Sequence, residues 1–143
     1  HLVTNAIRQK LIAGIENCSS SIGIDKTFLL FLPEGEHHEL GLLYMYFMLK
    51  SRGIKVIYLG TNVPINDMAF VANLKKPNLA YIHLTSTATN FNFEKFLHNA
   101  SARLQGINLV VSGHITLSYR KSINPNVHFK RSLSEVMEFL SML

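Results

Sequence analysis

A carboxylate two residues before a histidine, with a glycine three residues after it, makes Glu36-x-His38-x-x-Gly41 the part of this sequence richest in chemistry. A neutral imidazole is a good ligand for a transition metal, and a nearby carboxylate can hold its other nitrogen and fix the tautomer. The motif lies in the run Phe31-Leu32-Pro33-Glu34-Gly35-Glu36-His37-His38-Glu39-Leu40-Gly41, directly after the first strong hydrophobic segment. A strand would hand over to a helix there, which is where open α/β sheets usually bind ligands. The plainer alternative for His38 is a neutral, partly exposed histidine at a helix start, with Glu36 placed favourably against the helix dipole. His37 is expected in solvent.

The elements that must position this motif alternate along the chain. Leu2, Val3, Ala6, Ile7, Leu11 and Ile15 fall near helical spacing, so the first segment reads as an amphipathic helix to about Glu16. A Ser- and Gly-rich stretch from Asn17 to Asp25 reads as the loop that ends it. Thr27 to Leu32 is a continuous apolar run, suited to a strand buried on both faces. The next helix places Leu40, Leu43, Tyr44, Phe47 and Met48 on one stripe and stops near Arg52-Gly53. Lys55 to Leu59 reads as a second strand closed by Gly60, and a helix follows from about Pro64 with Ile65, Met68, Ala69 and Ala72 inward.

Leu79 to Leu84 forms a third strand, and Phe93, Phe96, Leu97, Ala100 and Leu104 form the stripe of a third covering helix. Asn108 to Val111 is a fourth strand ending at Ser112-Gly113, Ile115 to Asn124 carries the weakest pattern, and Val127 to Phe129 is a fifth strand. Ser132-Leu133-Ser134-Glu135 resembles a capping box that starts a last helix. Such alternation implies an α/β fold with a parallel sheet covered on both faces. Five units without Gly-x-Gly-x-x-Gly fit the flavodoxin-like strand order 2-1-3-4-5 better than a dinucleotide fold.

In that order the carboxyl ends of the first, third and fourth strands crowd one rim, bearing Pro33 to Gly41, Leu84 to Asn90, and Ser112-Gly113-His114. Those residues exclude several functions. A phosphoacceptor receiver needs an aspartate after the third strand, but the only aspartates are Asp25 and Asp67. The glutamates after the first strand, Glu34, Glu36 and Glu39, would repel a flavin phosphate. No His-Glu-x-x-His or Gly-x-Ser-x-Gly pattern supports zinc-hydrolase or serine-hydrolase chemistry. One metal ligand remains, with a carboxylate behind it and two loops of small hydroxyl and glycine residues.

Composition narrows the setting. No apolar run is long enough to span a bilayer, so no membrane partner is expected. With Cys18 as the single cysteine and no signal pattern, a cytoplasmic location is expected. The net charge is +5, but the basic residues are scattered, so direct reading of nucleic acid is not expected from this chain. The chain begins at His1 without a methionine, which suggests a fragment or processed chain with segments upstream.

At these residues the chain resembles cobalamin-binding domains, flavodoxin-like modules with an Asp-x-His-x-x-Gly motif after the first strand. The glutamate form here, with Gly35 before it and Glu39-Leu40-Gly41 after, is similar to light-responsive MerR-type transcriptional regulators that use adenosylcobalamin. The resemblance implies that His38 ligates cobalt in place of the cofactor's own base, with Glu36 orienting His38, and that the displaced base threads into the protein. It implies further cofactor contacts at Gly41, at Thr85 and Ser86, and at Ser112 and Gly113. Thr85-Ser86-Thr87 departs from the family's Ser-x-Leu, and Ser112-Gly113 from its Gly-Gly, which would narrow the groove for the base. Residues 1–24 would then close an upstream helical bundle and residues 25–143 form the cobalamin-binding domain. His1 would be the last member of the bundle's Trp…Glu-His signature.

The expectation is a non-enzymatic sensory domain, with DNA bound only through an upstream helix-turn-helix and a homo-oligomer formed by the full-length protein. Two alternatives stand beside it: a corrinoid carrier domain of a methyltransferase or mutase, and a protein-interaction module that has lost cobalamin binding.

Overall fold

The computed structural model describes residues 2–18, 23–85 and 89–143. After a leading helix α1 (Leu2–Asn17), strands and helices alternate: β1 (Ile24–Pro33), α2 (Leu40–Ser51), β2 (Ile54–Val63), α3 (Ile65–Lys75), β3 (Leu79–His83), α4 (Phe93–Leu104), β4 (Asn108–Ser112), α5 (Ile115–Ser118), β5 (Val127–Lys130) and α6 (Leu133–Ser141). The five strands form one sheet in the order β2-β1-β3-β4-β5, every pairing parallel. This is the expected flavodoxin-like arrangement. No helix among the described residues is long and apolar enough to cross a membrane.

The core is built on β1, where Phe28, Leu29, Leu30 and Phe31 are completely buried. A parallel strand covered by helices on both faces has no polar side, so its sequence is apolar without alternation. The stripe expected on α4 is found buried in full: Phe93, Phe96, Leu97, Ala100 and Leu104. At the start of α6 Ser132 caps the helix, accepting from the Glu135 N–H at 3.1 Å, while the Glu135 carboxylate reaches back one residue past the cap to accept from the Arg131 N–H at 2.9 Å.

Two expectations need correction. The stripe expected on α2 is not the buried one. Leu42, Leu43, Met45 and Leu49 face the core, while Tyr44 is 44% exposed. Helix α2 is wedged between the sheet and α1, so it is apolar nearly all round and its periodicity does not single out a face. The α1 side of that wedge is close: a Cβ on Gly14 would stand 3.1 Å from the Phe47 ring, and Lys50 Nζ donates to the Ile15 carbonyl at 2.8 Å.

Strand β2 also does not close at Gly60 but continues to Val63. Gly60 adopts φ +83°, and the register with β1 slips there: Leu30 faces Tyr58, yet Phe31 faces Gly60. The glycine makes a bulge rather than a stop. The weak stretch after β4 holds only the four-residue α5, and its remainder is pinned by side chains. Tyr119 stands edge-on to Phe93 and Phe129 at centroid distances of 5.3 and 5.7 Å. Asn126 Nδ2 donates to the carbonyls of Ser101 and Ile107.

The bulged end of β2 supports the turn after β1. Asn62 sits at φ +55°, a left-handed conformation that asparagine tolerates better than most residues. Its Oδ1 accepts from the Gly35 N–H at 2.8 Å, and its own N–H donates to the Glu36 carbonyl at 3.0 Å. Asn62→Ala should therefore lower stability by about 1–3 kcal/mol in urea titrations, the usual cost of a strained φ plus a lost hydrogen bond. Asn62→Gly, which keeps the conformation and loses only the side-chain bond, should cost less.

Candidate functional site

The rim begins where β1 runs out. Pro33 closes the strand, and the Glu36 N–H returns to the Pro33 carbonyl at 3.0 Å across a turn whose Gly35 has φ +88°. From Glu36 to Glu39 the chain is irregular, and α2 starts at Leu40. Along this short bridge exposure changes sharply. Glu36 is buried, 3% exposed, whereas His37 and His38 are exposed. The motif thus presents an imidazole to solvent at the strand ends, with a carboxylate sunk beneath the same segment.

Glu39, one residue further, is the fastening that sequence reasoning missed. Its Oε1 accepts from Arg8 Nε of α1 at 2.8 Å and its Oε2 from the Tyr58 hydroxyl of β2 at 2.7 Å. Burial, and then the bond to Glu39, push the Tyr58 phenol well above its ordinary value, so it remains a donor. The residue after His38 is thereby tied to a helix on one side and a strand on the other. The glutamate that caps α2 carried no signal for this, because neither Arg8 nor Tyr58 is near it in sequence.

The second part of the site is a cavity of about 590 Å³ between α2, α6 and the ends of β3 and β4, with Ile7 and Leu11 of α1 contributing to its wall. Three residues expected at the site share it: Gly41, Ser112 and Gly113. Thr85 is exposed on the rim, and Ser86, Thr87 and His1 lie outside the described residues. Leu40, Met45, Val136 and Leu140 make the cavity largely apolar, and Arg131 and Ser132 stand exposed at its edge.

Its polar wall is a group of three. Ser112 is 1% exposed, and its Oγ bonds both the Tyr81 hydroxyl and His83 Nδ1, the latter at 2.7 Å. The sheet makes this trio: Tyr81 and His83 share a face of β3, and His83 is the register partner of Ser112 on β4. Burial raises the Tyr81 phenol to about 12 and pushes His83 below its ordinary 6.5, so both are neutral near pH 7. No motif in the sequence marks His83. The signal for its role was its place at the end of the third strand, beside the end of the fourth.

Both glycines of the motifs answer to close approaches. A Cβ on Gly41 would lie 2.7 Å from His83 Nε2, inside the ring's own contact shell. A Cβ on Gly113, at φ +108°, would lie 2.8 Å from the Leu84 nitrogen and nearer still to its carbonyl. These positions leave no room for a side chain. Among the described residues no three His, Cys, Asp or Glu side chains gather as a metal site.

Two measurements check this geometry. Tyr58→Phe should cost about 1.5–3 kcal/mol in denaturant titrations, the range for a hydrogen bond to a charged group. For His83, the folded state binds a proton less readily than the unfolded chain, so its neutral form contributes full stability above 6.5. That contribution falls away as pH drops from 6.5 toward the lowered folded-state value. Thermal melts between pH 7 and 5 should consequently show a steeper loss in the native chain than in His83→Phe.

Similarity to known proteins extends over most of the chain. The chain is 27% identical over 123 residues to the HTH-type transcriptional repressor CarA of Myxococcus xanthus, covering 86% of this chain and 42% of that protein. It is 25% identical over 121 residues to CarH of the same organism, covering 84% of this chain and 40% of CarH. The chain thus spans about two-fifths of the curated relatives it matches. Among solved structures it is similar to the methanol:cobalamin methyltransferase complex MtaBC of Methanosarcina barkeri, with a TM-score of 0.61 at 14% identity over 98% of this chain and 56% of that one. The family model of the B12 binding domain matches residues 27–130, from the first residues of β1 to the end of β5, and the chain belongs to that family.

Proposed function

We propose that this domain holds a cobalamin with His38 as the protein ligand to cobalt, and that it is the sensory part of a MerR-type transcriptional regulator. The observation that carries the reading is the pairing of an exposed imidazole at the strand ends with an apolar cavity of about 590 Å³ beside it. A corrin macrocycle brings four nitrogen donors of its own, so the protein needs to supply one neutral imidazole and no cluster of ligands. The displaced nucleotide tail needs a slot into the protein, and the cavity has the volume and the apolar walls for its aromatic base. The residues present fit the group.

Each residue has a distinct task in this reading. His38 would supply the protein's ligand to cobalt, and Glu36, buried in the same segment, would orient the imidazole and raise its basicity. Asn62 and Glu39 hold the two ends of that segment still, so ligation is not opposed by ordering a loose loop. Thr85 on the exposed rim, and Ser112 and Gly113 in the cavity wall, would contact the nucleotide tail. When bound, the cofactor supplies a cobalt–carbon bond that light can break, as in the regulators this chain resembles.

The regulatory role rests on the similarity to CarA and CarH and on the glutamate form of the motif. DNA would be read by a helix-turn-helix upstream of residue 1, and adenosylcobalamin would favour one homo-oligomeric state over another. Such a switch requires the two cofactor states to bind the two assemblies with different free energies.

The test is an absorbance titration with adenosylcobalamin in the dark, followed by illumination. The native chain should give a base-off, histidine-ligated spectrum, and His38→Ala should abolish that ligation. Glu36→Gln should weaken binding by about 10–100-fold, the usual effect of removing a carboxylate behind a ligating histidine. A light-induced change of both spectrum and assembly would favour the regulator. A methyl-transfer partner and no light response would favour the carrier domain, and no retained cobalamin would sink the reading.

A further inference from the structure

The hydroxyls and the imidazole in the cavity can be assigned their protons. Ser112 Oγ has one hydrogen to donate and two partners, the Tyr81 hydroxyl and His83 Nδ1. Tyr81 is 1% exposed, and no other acceptor for its proton is found among the described residues, so it donates to Ser112. Ser112 is equally buried, so its own hydrogen must go to His83 Nδ1. In the reverse order, His83 would donate to Ser112 and Ser112 to Tyr81, which strands the Tyr81 proton in an apolar wall. A buried donor without a partner is costly, and the first order leaves its free N–H on the partly exposed His83 ring, at the cavity, rather than on the buried Tyr81 hydroxyl.

That order fixes the tautomer. His83 is neutral, and with Nδ1 accepting, its proton resides on Nε2. Nε2 has no hydrogen-bond partner among the described residues. It lies on the ring edge beside Gly41, where a Cβ would meet it at 2.7 Å, and both residues line the cavity. The cavity therefore offers one oriented, uncharged N–H donor within largely apolar walls.

We propose that His83 Nε2–H selects the corrinoid by the base at the end of its tail, accepting bases that carry a free azole-type ring nitrogen and discriminating against phenolic bases that lack one. This rests on the cobalamin reading above. A benzimidazole or purine released from cobalt has a nitrogen lone pair that can accept from Nε2–H. A phenolic base of similar size fills the same apolar space and leaves the donor unpaired. Sites built around a polar contact discriminate against analogues lacking it more strongly than apolar pockets distinguish size. Ser112, which departs from the glycine expected there, is the residue that sets the donor.

The experiment compares three ligands on the full chain, each followed by absorbance: a benzimidazolyl cobamide, a phenolyl cobamide and tail-less cobinamide. The native chain should bind the benzimidazolyl form at least about tenfold more tightly than the phenolyl form, the lower range for an unpaired buried donor. In His83→Phe that ratio should fall to about twofold or less. Should His83→Phe misfold, the pair Tyr81→Phe with Ser112→Ala removes both hydroxyls together and frees the tautomer, and the ratio should again shrink. Equal binding of the two cobamides by the native chain would overturn the proposal, as would a ratio that survives either variant. If cobinamide gives a histidine-ligated spectrum while the tails are not distinguished, only the tail selection falls. If none of the three ligates through His38, the cobalamin reading falls with it.

Discussion

A hydroxyl buried in an apolar wall must find partners, and at the end of β4 this requirement organises the inside of the site. Ser112 is held by Tyr81 and His83, both from the adjacent strand, and the contacts exist because β3 and β4 run parallel with His83 opposite Ser112. The imidazole so placed needs space on its other edge. That space is Gly41, on a helix that begins only a few residues after the exposed His38. A polar contact between two strands thereby dictates which residue the neighbouring helix can carry.

The rim and the cavity solve different physical problems. At the rim an imidazole must remain exposed yet fixed, and short tethers from distant elements accomplish this: Asn62 on the turn, Arg8 and Tyr58 on Glu39. Inside the cavity, apolar walls would supply most of the affinity for a planar ligand, and one hydrogen-bonding group its orientation. The B12-binding family membership accounts for the strand order and for the motif after β1.

The fold was legible because its signals are local. Apolar runs such as Phe28 to Leu32 and stripes such as Phe93 to Leu104 state their burial in a few consecutive residues. Helix α2 resisted because two layers cover it, so spacing could not say which side was inward. Gly60 misled because glycine serves a bulge as readily as a chain end. At the site, Glu36, His38, Gly41, Ser112 and Gly113 stood out by motif, whereas Glu39, Tyr58, Asn62 and His83 did not. Their importance lies in contacts across 19 to 31 residues of sequence, which only the register of the folded strands brings together.

Helix α1 connects the two problems. It contributes Ile7 and Leu11 to the cavity wall, grips Glu39 through Arg8, and is anchored at its far end by Lys50 and by the Phe47 ring against Gly14. A ligand filling the cavity would add packing against α1, while ligation at His38 would act on the segment that α1 holds by Glu39. Both effects reach the same helix by different routes, one through apolar contact and one through a charge-assisted hydrogen bond. Helix α1 is therefore the element at which the cavity wall and the tether of the rim meet.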